Sequence, residues 1–186
     1  MIRTGELVAI RAVRLIAKKA LVVVVIAIGC IGSLMLMASA ADAQEPRTAA
    51  SMAALKDKTA KLGAPTIEGT EKVGGKSVPV LYFGSTKMNN NFTVVDEIGN
   101  EDPGMNATLF VKSGDEFIRV ATSVRLPDNR RAVGTVLAPP ALDSVKLGKS
   151  FDGQVQVLGA PYMTYYEPIK DASGETIGAY FVGYKK

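Results

Sequence analysis

The chain has 186 residues, with 22 Lys and Arg against 18 Asp and Glu, one Cys and no His. The missing histidines exclude Ser-His-Asp and Cys-His catalysis as well as His-based metal centres. A single cysteine excludes an internal disulfide, and the length fits one ordinary domain behind a targeting segment.

The first predicted element is the uncharged run "ALVVVVIAIGCIGSLMLM" at residues 20–37, preceded by Arg3, Arg11, Arg14, Lys18 and Lys19 and followed by "ASAADAQ". A basic region, an apolar stretch and small-residue cleavage sites describe a secretory leader, here residues 1–43. The run also approaches the ~18–20 residues that span a bilayer, so the alternative is an inner-membrane anchor formed by residues 20–37. Either reading places the rest outside the cytoplasm, periplasmic or secreted once a leader is cleaved. Cys30 is followed by apolar residues, which argues against a lipid-modified cysteine. Beyond Glu45 acidic and basic side chains nearly balance, so no basic stripe for a nucleic acid is expected.

Residues 48–62, "TAASMAALKDKTAKL", are rich in helix formers, and Met52, Leu55 and Leu62 recur on one stripe. Gly63 and Pro65 then end the helix. The segment "IEGTEKVGGKSVPVLYFG" is expected to lead into a strand over residues 78–83. Its "GGKS" echoes a phosphate-binding loop, but five residues rather than four separate Gly69 from Gly75. Residues 92–98, "FTVVDEI", read as a second strand, which would turn Asp96 and Glu97 to opposite faces. Residues 107–112 and 116–125 form a hairpin about "SGD", and "LPDNRRAVGT" follows as a polar link with Arg130 and Arg131 exposed. "PPALDSVKLGK" can form a short helix opened by proline, residues 154–158 a short strand, and residues 162–169 and 176–184 a last hairpin about "DASGE". One helix followed by five or six antiparallel strands argues for an α+β domain.

Five pieces now stand in order: "GGKSVPVLYFG", "NNNFTVVDEI", "NATLFVKSGDEFIRVATSV", "RAVGTVL" and "LGAPYMTYYEPIKDASGETIGAYFVGY". Together they resemble a single Cache sensor domain of the Cache 3/Cache 2 fusion type, found in the extracytoplasmic regions of bacterial chemoreceptors. The resemblance covers roughly residues 67–184. It implies a PAS-like antiparallel sheet with a long N-terminal helix packed across it. It also implies a small ligand, an organic acid, amino acid or related metabolite, held between the sheet and the segments on its face. The expected division is a helix at 45–64 and the Cache domain at 65–186.

Strand alternation puts Tyr162, Thr164 and Tyr166 on one face and Met163, Tyr165 and Glu167 on the other. The resemblance to dicarboxylate and citrate sensors marks Thr164 and Tyr166 as ligand-facing. Such relatives often carry arginine where this chain has Thr164, which weakens the case for a di- or tricarboxylate. The same resemblance marks Arg119, a guanidinium able to grip a carboxylate with two parallel hydrogen bonds. It marks Thr122 as well, which needs a bulge to share Arg119's side. In "EFIRVATSVR" the apolar Ile118, Val120 and Val124 share one parity, so Arg119, Ser123 and Arg125 are expected to face oppositely, and Arg125 and Tyr162 join Arg119, Thr122, Thr164 and Tyr166 as ligand-binding candidates. The other reading is that these rings only pack beneath helix and loop, and that Arg119 and Arg125 form surface ion pairs.

The functional expectation is therefore an extracytoplasmic small-molecule-binding module for sensing, without catalytic residues, metal or cofactor. It would serve a separate receptor or transporter, since "FVGYKK" closes the sequence with no signalling coil after it. The alternative is an interaction module that forms a homodimer through its N-terminal helix.

Overall fold

The computed structural model of the chain describes residues 45–186. The expected leader or anchor at residues 1–43 lies outside the described residues. Among the described residues no helix is long and apolar enough to cross a membrane.

Helix α1, Glu45–Ala60, forms where the sequence predicts it. Thr48, Ser51, Met52, Leu55 and Thr59 are buried at helical spacing, the stripe an amphipathic helix turns to a core. Thr59 closes this stripe, its Oγ1 donating to the Leu55 carbonyl at 3.0 Å and lying 3.2 Å from the Tyr180 hydroxyl.

Strands β1 (Pro65–Val73), β2 (Lys76–Phe83) and β3 (Thr86–Lys87) make a three-stranded antiparallel sheet. Strand β1 corrects the expected unstructured lead-in: it pairs with β2 along its length, Val73 opposite Lys76. Gly74 and Gly75 form the two-residue turn with φ of 58° and 85°, the positive values that a tight hairpin loop requires. The "GGKS" stretch is thus a hairpin tip. Strand β1 escapes a hydrophobicity-based reading because most of its side chains are exposed.

A second correction concerns residues 92–98. They form not a strand but helix α2, Thr93–Glu101. β-Branched composition favours a strand locally, yet Val94, Val95 and Ile98 are all buried on one helical face, and that burial decides. Asn91 Oδ1 accepts the Thr93 N–H at 3.2 Å at the helix start.

The main sheet contains β4 (Met105–Ser113), β5 (Glu116–Thr122), β6 (Phe151–Val157), β7 (Ala160–Lys170) and β8 (Thr176–Lys185), with helix α3 (Ala141–Lys146) between β5 and β6. Its spatial order is β5-β4-β8-β7-β6, antiparallel throughout. The architecture is the α+β, PAS-like Cache fold. Each face of the sheet has its own core. Leu109, Val111, Val120, Tyr180 and Val182 pack with α1, α2 and the smaller sheet. On the opposite face, Phe110, Phe117, Phe181, Tyr162 and Tyr166 lie beneath Val124, Leu137, Ala141 and Val145 from the connection carrying α3.

Candidate functional site

The second face carries the residues of interest, and strand alternation puts them there. Tyr162 and Tyr166 belong to its core, while Met163 and Tyr165 pack against the other. Tyr166 is the hub, with its ring centroid 4.9 Å from Phe181, 6.2 Å from Phe151 and 6.5 Å from Phe110.

The connection after β5 folds back over this face. Thr135 O accepts from Arg119 N at 2.9 Å, and Gly134 N donates to Arg119 O at 2.8 Å. The same segment pairs Leu137 N with Phe117 O. Between this edge and β6 lies a cavity of about 250 Å³, bounded by Arg119, Leu137, Pro139, Val157 and Tyr166 among others. A second lobe of about 320 Å³ contains Arg125, Leu126, Tyr162 and Lys185. Val157 and Leu158 border both lobes.

Arg119 is the decisive group. It is only 3% exposed, its Nη1 donates to Thr135 Oγ1 at 2.5 Å, and its guanidinium lies 4.9 Å from the Phe110 ring centroid. Its Nε is buried with no hydrogen-bond partner. No carboxylate pairs with it among the described residues. Burial lowers the Arg119 pKa from the usual arginine range to about 10, an effect that the neighbouring Tyr166 and Tyr162 phenols partly oppose. Burial likewise pushes the Tyr166 phenol up to about 12, against the pull of Arg119. The Tyr162 phenol is raised in the same way. A buried cation without a counter-charge is costly, because its desolvation is not offset.

A β-bulge explains the arrangement of β5. Leu109 faces Ala121 and Phe110 faces Arg119, leaving Val120 as the extra residue. Val120 and Ala121 consequently both enter the first core, and the alternation resumes one step out of phase. Thr122 thus falls on the side of Arg119, beside Thr108. Val124 joins the second core rather than the Ile118 and Val120 side, which corrects the simple parity expected for 118–125.

The six sequence candidates separate into three pairs. Arg119 and Tyr166 line the first lobe, and Arg125 and Tyr162 line the second. Thr122 and Thr164 are fully buried and line neither lobe. Thr122 Oγ1 lies 2.7 Å from Thr108 Oγ1 and accepts Val124 N–H at 3.0 Å. Thr164 Oγ1 donates to Gly153 O at 2.8 Å.

Lys185 is the cation that sequence reading missed. Counting the register back from the "DASGE" turn would have found it, because Lys185 pairs with Tyr162. Arg131 was expected to be exposed but is half-buried. It holds Asp96 through Nη1 at 2.8 Å and Nη2 at 2.7 Å, donates to Thr122 O at 2.7 Å, and stacks 4.2 Å from the Phe92 centroid. Asp96 and Glu97 do diverge, but on a helix: Glu97 accepts from Lys58 at 2.9 Å.

Residues 33–186 match the Cache 3/Cache 2 fusion domain. No curated protein matches the chain. The chain belongs to the Cache 3/Cache 2 fusion domain family, whose members are extracytoplasmic modules that sense small molecules rather than catalyse reactions.

Proposed function

We propose that this Cache domain captures a small organic acid, with Arg119 as the carboxylate receptor. The observation that carries the reading is the buried guanidinium whose Nε has no partner and with which no carboxylate of the described residues pairs. A ligand carboxylate meeting the guanidinium from the cavity that Arg119 lines would supply both the missing acceptor and the missing charge, in the fork geometry that arginine favours. The Tyr166 hydroxyl lacks a hydrogen-bond partner among the described residues and lines the same lobe, so it is free to donate to the ligand while its ring forms an apolar wall. Phe110, Leu137 and Val157 exclude water around the charge, which strengthens the contact. A first lobe of about 250 Å³ lies just below the ~300–1,000 Å³ of typical small-molecule pockets, which suits a small head group.

In this reading residues 1–43 direct or tether the domain outside the cytoplasm, residues 45–64 supply its packing helix, and residues 65–186 bind the ligand for a separate receptor or transporter. The test is thermal melting of the full chain with a library of carboxylates, amino acids and amines. A ligand at a hundred times its dissociation constant raises stability by about 2.7 kcal/mol. Carboxylates are expected to give the shift and the matching amides or amines are not. Equal shifts from neutral analogues would overturn the reading.

A further inference from the structure

The second lobe is not a mere extension of the first. Its lining brings together Arg125, Lys185 and Tyr162, and no acidic residue lines either lobe. Among the described residues Arg119, Arg125 and Lys185 enter no ion pair. Among the described residues the Arg125 side chain has only the Asn129 carbonyl, at 2.9 Å from Nη1. The Lys185 ammonium and the Tyr162 hydroxyl have no hydrogen-bond partner among the described residues. Lys185 belongs to this site because β8 pairs it with Tyr162 across the sheet, and cross-strand partners present their side chains on the same face.

The surface joining the two lobes is apolar, made by Val157 and Leu158 at the end of β6. Tyr166 in one lobe and Tyr162 in the other are four residues apart on β7, a separation of about 13 Å at the rise of a strand. An acid anchored at Arg119 would therefore run along an apolar wall before reaching the second pair of cations. Resting on the carboxylate reading above, we infer that the ligand is an elongated dianion, with one acidic group at Arg119, an apolar middle along Val157 and Leu158, and a second acidic group at Arg125 and Lys185. A short diacid reaches only one lobe.

Calorimetric titration of the full chain with matched acids tests this: hexanoate against adipate, octanoate against suberate, decanoate against sebacate, and succinate as the short diacid. The expected result is a diacid advantage that appears only in the longer pairs and reaches about tenfold in the dissociation constant. The double variant Arg125→Gln/Lys185→Gln, altered at two exposed positions, is expected to bring the long diacid down to its monoacid. Equal affinities for each matched pair, with Arg119→Met still abolishing binding, would overturn the second anion site and leave the carboxylate reading standing. A diacid advantage that persists in the double variant would overturn it too. If no acid binds at all, the carboxylate reading and this inference fall together.

Discussion

Replacing Arg119 by methionine separates a structural arginine from one held ready for a ligand. In the folded protein burial lowers the Arg119 pKa by more than two units from the usual arginine range, to about 10. At about 1.4 kcal/mol per pKa unit, carrying this charge costs the unliganded domain about 3 kcal/mol. Two contacts oppose the cost: the hydrogen bond to Thr135, about 1.5 kcal/mol for a charged donor, and the cation–π contact with Phe110, about 1 kcal/mol. The terms nearly cancel. Methionine keeps the apolar stem and adapts to irregular space, so Arg119→Met is expected to change unliganded stability by less than about 1 kcal/mol, or about 4 °C in Tm for a domain of this size. Breaking a buried ion pair would instead cost about 3–5 kcal/mol. Urea and thermal denaturation followed by circular dichroism read the difference. A loss above about 3 kcal/mol would refute the argument, because it would mean that the protein itself neutralises Arg119. The same variant is expected to lose any stabilisation by carboxylates.

Tyr166→Phe tests the electrostatics from the other partner. The phenol is raised from 10.0 to about 12 in the fold, so its stabilising contribution is complete below pH 10 and is lost as pH rises through 12. Arg119, with its pKa lowered, works in the opposite sense and favours folding increasingly above pH 10. Removing the phenol is therefore expected to improve stability relative to wild type by about 3 kcal/mol between pH 10 and pH 12, measured by urea melts across that range; parallel curves would contradict it. Gly178→Ala addresses the sheet beneath the site. A Cβ there would collide with the Phe110 carbonyl oxygen, so the β4–β8 pairing must shift at a cost of about 1–3 kcal/mol. Chemical denaturation checks this, and an unchanged midpoint would show that the strands can separate freely.

Much of the molecule was readable from residues alone where local pattern and tertiary burial agree. The α1 stripe of Met52, Leu55 and Thr59, the two hairpins and the alternation of Tyr162 and Tyr166 are all of this kind. Helix α2 was not readable, because "TVVDEI" is β-branched and only its buried face makes it helical. Strand β1 was hidden by its polar, exposed side chains, although Gly74-Gly75 carried the hairpin signal. The site was legible by residue type but not by partition. Nothing in "EFIRVATSVR" announces that Val120 is an extra residue, so the positions of Thr122 and Val124 follow from the bulge and not from counting. Nor does the sequence show that both threonine hydroxyls have protein partners.

Helix α2 and the residue just past it carry four acidic side chains in ion pairs. Asp96 holds Arg131 of the segment covering the cavity, Glu97 and Glu101 hold Lys58, and Asp102, just past the helix, holds Arg47 at 2.5 Å. Arg131 also grips the Thr122 carbonyl, three residues from Arg119. Any displacement of the covering segment must therefore either drag α2 with it or break a bidentate, half-buried pair. The helix is a tie-rod between the two faces of the sheet, and tension applied on the cavity side is borne by α1 on the other.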